Sequence, residues 1–195
     1  MTKFPRFHTL LLLLLLACEN GFSEETPPAS VKALDLSGHR VDPFQNSQAR
    51  LLVFVFVRTD CPIANSYAPL IRRLYMKYTA RKVAFWLVYV DKDESPEDIR
   101  KHMDEHGYEC AALRDTKLAL AKKSKARVTP EAAVFQPTGE LLYHGRLDDR
   151  WVDIGKYRPE ATQHDLAHAL DDAVAGRKIA AASQKAVGCP IEGIK

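Results

Sequence analysis

Apolar and polar positions follow two different periods along this chain. Residues 31–41 read as a short hairpin: Ala33-Leu34-Asp35-Leu36, a turn at Ser37-Gly38, then His39-Arg40-Val41. Leu51–Val57 is an unbroken apolar run rich in valine and phenylalanine, which predicts a strand buried on both faces. From Cys61 the period becomes helical. Ile63, Tyr67, Leu70, Ile71, Leu74, Tyr75 and Tyr78 fall on one stripe and predict a single long amphipathic helix. Residues 83–90 form a second buried strand. Ser95-Pro96-Glu97-Asp98 carries a cap, a first-turn proline and early acids, and predicts a helix that runs to His106 and stops at Gly107. A shorter helix follows from Asp115 or Thr116 to Lys125. Glu131–Phe135, a turn at Pro137-Thr138-Gly139 and residues 140–144 predict two paired strands. Residues 162–174 predict a last helix, with Asp165 three residues after a Thr162 cap and Gly176 at its end. Strands alternate with helices before two strands pair through a tight turn. That order predicts an α/β fold with a mixed central β-sheet flanked by helices.

The N-terminus has a different pattern. Lys3 and Arg6 precede an all-leucine run at residues 10–16, far short of the ~20 apolar residues of a membrane-spanning helix but suited to a secretory signal. The run ends in Leu15-Leu16-Ala17-Cys18, which resembles the bacterial lipobox. The resemblance implies that Cys18 becomes the lipidated first residue of a mature, membrane-anchored lipoprotein. With Glu19 after it, the outer membrane is the expected destination. The other reading is an ordinary cleaved signal with Cys18 as a bystander. Residues 18–29 are polar, contain Pro27 and Pro28, and read as a tether. The expected division is therefore 1–17 signal, 18–29 tether, 30–176 one α/β domain and 177–195 a tail. A lipid anchor would hold the domain in a periplasmic or other extracytoplasmic space, where disulfides persist.

Composition changes this picture little. An apolar content of 46% in 195 residues suits one domain with a real core. The net charge of +3 is small, and its densest basic group, Lys122, Lys123 and Lys125, sits on an expected helix face, so no nucleic-acid partner is expected.

The candidate chemistry is that of cysteine. The buried strand leads into Arg58-Thr59-Asp60-Cys61-Pro62-Ile63-Ala64, so Cys61 opens a helix. Unpaired N–H groups there stabilise a thiolate, which predicts a depressed pKa; Arg58 would add to the effect and Asp60 would oppose it. Much later, Val128-Thr129-Pro130 precedes a strand. This order resembles the thioredoxin fold, in which a Thr-Pro with a cis-proline faces the active cysteine. Leu113-Arg114-Asp115, the short helix and Thr129-Pro130 are similar to the redoxin group, also called the alkyl hydroperoxide reductase and thiol-specific antioxidant family. The segments Cys61-Pro62-Ile63-Ala64-Asn65-Ser66-Tyr67-Ala68-Pro69 and Gly145-Arg146-Leu147-Asp148-Asp149-Arg150 look like a secreted redoxin subgroup. The resemblance spans residues 31 to 175. It implies a thiol-dependent oxidoreductase whose site comprises Cys61, Thr129, Pro130 and Arg58, acting on a thiol or disulfide protein or on a peroxide, with no cofactor and no metal.

The departures from the family pattern are specific. Thioredoxins carry Cys-x-x-Cys, and here Ala64 holds the second position. Peroxiredoxins place Thr or Ser three residues before the cysteine with a proline upstream, whereas Thr59 is two residues before Cys61 and residues 51–60 lack proline. Sco-type copper chaperones use Cys-x-x-x-Cys, and Asn65 stands there. A two-cysteine cycle therefore needs a distant thiol. Cys110, at an expected strand start, reads as a small buried apolar residue; Cys189, in Gly188-Cys189-Pro190, is the candidate resolving thiol on the tail. Because Ala64 removes the local partner, a non-catalytic binding module, or a metallochaperone-like partner of a secreted redox or metal protein, is the alternative function. The i,i+4 pairs His102/His106 and His164/His168 lack an evident third ligand and are expected to be exposed; Asp148 and Asp149 are expected to be charges on a surface loop.

Overall fold

The computed structural model describes residues 1–2, 30–45 and 48–194. Cys18 and the remainder of the leader and tether lie outside the described residues. Chain order is β1 (Ala33–Leu34), β2 (Arg40–Val41), β3 (Leu51–Val57), α1 (Pro62–Ser66), α2 (Ala68–Thr79), β4 (Val83–Tyr89), α3 (Pro96–His106), β5 (Ala111–Arg114), α4 (Ala119–Lys123), β6 (Val128–Thr129), β7 (Glu131–Phe135), β8 (Leu141–Gly145), β9 (Trp151–Asp153), β10 (Lys156–Tyr157), α5 (Asp165–Val174), β11 (Ser183–Gln184) and β12 (Cys189–Pro190).

The main sheet has the order β11-β8-β7-β3-β4-β5-β1-β2. β3, β4 and β5 are mutually parallel, β7 runs antiparallel to β3, β8 runs antiparallel to β7, and β1–β2 is the hairpin read from the sequence. β3 is central, and all seven of its residues are buried. Leu51, Val53, Val55 and Val57 face a cluster that holds the apolar sides of α1, α2, α3 and α5. Leu52, Phe54 and Phe56 face a second cluster with Phe44, Leu120, Ala121 and Ile191. The continuous apolar run thus reflects helices or loops on both faces of the strand.

Local signals place α3 as expected. The Ser95 Oγ accepts the Asp98 N–H, and Gly107 closes the helix in the left-handed region at φ 64°. Three expectations are corrected. The helix after Cys61 is two helices, because Pro69 has no N–H to give the Asn65 carbonyl and the chain steps at Tyr67. The short helix begins at Ala119, after Leu118 in the left-handed region, and Asp115 acts at a distance: its two carboxylate oxygens accept the Ala119 and Ala121 N–H groups. The last helix begins at Asp165 without a side-chain cap, and the Thr162 hydroxyl is instead donated to Asp149.

The segment after α5 is built into the domain. β11 extends the main sheet beside β8, and β12 pairs antiparallel with β6. Neither pairing was visible in the sequence, because strands of two residues carry no periodicity.

Candidate redox site

Cys61 sits four residues past the end of β3 and caps α1 with an extended backbone; the Ala64 N–H points at its sulfur, 3.4 Å away. Pro62, at the first helical position, supplies helical φ and needs no partner for an N–H. The loop before the cysteine is held from two sides. The Thr59 N–H donates to the Glu94 carboxylate at 2.6 Å, and the Asn65 amide donates to the Thr59 carbonyl at 2.9 Å. Burial pushes the Glu94 carboxyl above the usual carboxylate range, against the Thr59 N–H, which lowers it.

Thr129-Pro130 is a cis peptide, and the Thr129 carbonyl oxygen lies 3.1 Å from the Cys61 sulfur. Across β6, Cys189 faces Thr129 in the β12 pairing and forms a disulfide with Cys61; their Cα atoms are 6.2 Å apart over 128 residues of sequence. Gly188 makes this approach possible: a Cβ there would lie 2.2 Å from the Thr129 carbonyl oxygen. The Ile191 N–H donates to the Arg127 carbonyl, and the Ile191 side chain, 2% exposed, enters the second apolar cluster. Glu131 steadies the other side of β6 by accepting the Arg127 N–H at 2.8 Å. Cys61 is 1% exposed beneath this tail, whereas Cys189 is half-buried.

Arg58 is placed differently from the sequence reading. Its guanidinium is paired with Asp60 at 2.9 Å and Asp91 at 3.2 Å, so it organises the loop and not the sulfur. Cys110 is buried at 3% exposure, and burial pushes its thiol up to about 11. It is a packing residue, as its sequence context suggested.

Three polar side chains expected at the surface, His102, Asp148 and Asp149, are internal. His102 is 4% exposed; the Tyr89 hydroxyl lies 2.9 Å from its Nδ1, and its Nε2 lies 2.8 Å from the Asn65 amide oxygen. An amide oxygen only accepts, so Nε2 carries the proton and Nδ1 accepts from Tyr89. Both nitrogens are spent, which leaves none for a metal. Through Asn65, His102 reaches the Thr59 carbonyl. His164 and His168 are exposed, as expected. Asp148 and Asp149 are buried. Asp148 accepts the Tyr67 hydroxyl at 2.6 Å, and Asp149 accepts from the Thr162 hydroxyl and from the Thr162 and Gln163 N–H groups. Sequence reasoning missed Glu94, His102 and Ile191 as parts of this site and read Gly188 only as a neighbour of Cys189; of the three, His102 carried a signal, its place on the helix face of Ile99.

Burial, aided by His106 and opposed by Glu105, lowers His102 from 6.5 to about 4. The unfolded chain therefore binds a proton that the folded one refuses between those values, so this stability is present above pH 6.5 and is lost as pH falls toward 4. Discounted for partial solvent screening, the loss is on the order of 2 kcal/mol. Urea midpoints measured from pH 7 to 4 should fall more steeply for the native protein than for His102→Gln.

A family model described as thioredoxin-like matches residues 48–141. The search of curated proteins returns no match. Among solved structures, the chain is similar to a hypothetical protein from Sinorhizobium meliloti, with TM-score 0.72, 22% identity, and coverage of 84% of this chain and 91% of that one. It is also similar to an uncharacterised conserved protein from Geobacillus kaustophilus, with TM-score 0.70, 23% identity, and coverage of 84% and 88%. A secreted disulfide oxidoreductase from Mycobacterium tuberculosis aligns with TM-score 0.50 at 16% identity, over 75% of this chain and 96% of that one. The fold is thioredoxin-like: a mixed sheet flanked by helices, with a cysteine at a helix start opposite a Thr-Pro.

Proposed function

We propose that this protein is an extracytoplasmic thiol–disulfide oxidoreductase that cycles between a Cys61–Cys189 disulfide and two thiols. The observation that carries the reading is the disulfide itself, formed at a helix start and beside the Thr129-Pro130 segment although Ala64 removes the local partner. The tail supplies the second sulfur from 128 residues away. Three features support the cycle. The Ala64 N–H stabilises the Cys61 sulfur as an anion, while the Thr129 carbonyl accepts from it as a thiol, so both protonation states are accommodated. Glu94 and Asn65 fix the Thr59 backbone two residues before the sulfur. The half-buried Cys189 gives the bridge an edge that a protein substrate reaches. In this reading the lipobox-like Cys18 anchors the domain at a membrane outside the cytoplasm, where a disulfide-bonded resting state persists. The secreted disulfide oxidoreductase among the fold's neighbours is in keeping with that location.

Equilibration with mixtures of reduced and oxidised glutathione tests the reading. One two-electron transition should appear, assigned by peptide mapping to Cys61 and Cys189. It should vanish in Cys61→Ser and in Cys189→Ser and survive in Cys110→Ser. A transition that needs Cys110, or no transition at all, refutes the pair.

A further inference from the structure

We infer that thiol–disulfide exchange begins at the sulfur of Cys189, with Cys61 as the leaving sulfur, so that the tail carries the mixed disulfide. The inference rests on the Cys61–Cys189 cycle proposed above and assigns its order. An attacking thiolate needs surface on the sulfur it attacks, and which sulfur is attacked depends on access and on the stability of the departing thiolate. Both criteria select the same bond direction here. Cys61 is 1% exposed and sealed by β12, whereas Cys189 is half-buried at the edge of the domain. When Cys61 departs, the Ala64 N–H is already aimed at its sulfur. Among the described residues, no hydrogen bond reaches the Cys189 sulfur, so the reverse departure lacks that support.

Attachment gives a third, independent argument. Cys61 is fixed between β3 and α1, in the centre of the fold. Cys189 rides on a two-residue strand whose second member, Pro190, has no N–H to donate; beyond the strand the tail is held by the Ile191 N–H and its buried side chain. A substrate protein bonded to Cys61 would have to evict the tail first. Bonded to Cys189, it needs only the tail to lift.

The reaction balances with a dithiol substrate. One substrate thiolate attacks the Cys189 sulfur, forms a new S–S bond, and sends the electron pair of the broken bond to Cys61. The second substrate thiolate then attacks the first substrate sulfur, forms the substrate disulfide and releases Cys189 as a thiolate. The two protons from the substrate thiols end on Cys61 and Cys189. The substrate loses two electrons and the protein disulfide gains them. In the reductive direction Cys189 attacks a substrate disulfide and Cys61 resolves the mixed species.

The oxidised full-length protein should be mixed with glutathione, quenched in acid at short times, blocked with N-ethylmaleimide and mapped by mass spectrometry. Glutathione is expected on Cys189 and maleimide on Cys61, at least tenfold over the opposite arrangement. In a second arm, an aromatic disulfide reagent should react at least tenfold faster with Cys189 in Cys61→Ser than with Cys61 in Cys189→Ser. Glutathione on Cys61, or the faster reaction there, overturns the order and leaves the pair intact. Oxidised protein without a Cys61–Cys189 bridge overturns the pair, and the order with it.

Discussion

Gly188→Ala is expected to slow formation of the Cys61–Cys189 disulfide by about five- to a hundredfold while leaving the domain folded. A Cβ at this position would lie 2.2 Å from the Thr129 carbonyl oxygen, 2.6 Å from its carbon and 3.2 Å from the Pro130 nitrogen. All three are backbone atoms of a fully buried segment, so none can swing aside as a side chain would. The tail must lift instead. Overpacking of this kind costs ~1–3 kcal/mol, and each 1.4 kcal/mol is about a factor of ten in the docked population. The Ile191 anchor loses its seat in the same movement. The central strands β3, β4 and β7 make no use of the tail for their ladders, so the reduced domain should stay folded and its melting temperature should fall only by the few degrees that docking of the tail contributes. Reoxidation followed by thiol trapping and mass spectrometry measures the rate. A native rate in Gly188→Ala would mean that β12 does not dock on β6 before the bond forms.

Asp149→Ala is expected to cost about 2–4 kcal/mol of stability, the loss of charge-assisted hydrogen bonds to its buried carboxylate. Its carboxylate accepts from the Thr162 N–H at 2.7 Å, the Thr162 hydroxyl at 2.6 Å and the Gln163 N–H at 2.9 Å, and it faces Arg158 at 3.5 Å. These contacts tie the loop after β8 to the segment that enters α5. In a chain of this size the loss corresponds to a melting-temperature drop of roughly 6–12 °C. Burial alone would raise the pKa of Asp149, but the Thr162 and Gln163 donors and Arg158 outweigh it and hold the group at about 2. The folded value is depressed, so the contribution is present above the unfolded value near 4 and is lost as pH falls through about 2. Thermal melts of Asp149→Ala and the native protein should therefore differ at pH 7 and converge in strong acid. A difference that is the same at both pH values would assign the effect to packing, not to the carboxylate.

The burial of Asp148 and Asp149 shows why sequence reading stopped where it did. Two adjacent acids followed by an arginine have the composition of a surface loop. Their donors, Tyr67 for one and Thr162 and Gln163 for the other, stand 81, 13 and 14 residues away, and nothing in the local pattern announces them. His102 is the same case. It lies on the helix face that also carries Ile99, a face the pattern marks as inward, but its partners Tyr89 and Asn65 come from other elements. Glu94 is a loop acid in the sequence and a buried acceptor for the Thr59 N–H in the structure.

What the sequence determined by itself was written within a few residues at a time. The seven-residue apolar run gave β3 both of its faces, Ser95 and Gly107 bounded α3, and a strand running into Cys61-Pro62 placed a sulfur at a helix start. Each of these follows from side-chain period, capping chemistry or proline geometry, all of which are local. The tertiary structure alone decided which cysteine meets Cys61. The sequence favoured Cys189 on its tail over Cys110 at a strand start, but nothing local could carry either sulfur to Cys61. Cys110 was removed by burial within the first apolar cluster, and Cys189 was delivered by β12, a strand too short to leave a pattern, through a glycine whose necessity appears only once Thr129 lies against it. A contact across 128 residues depends on where two segments are carried by everything between them, and that is a property of the assembled sheet.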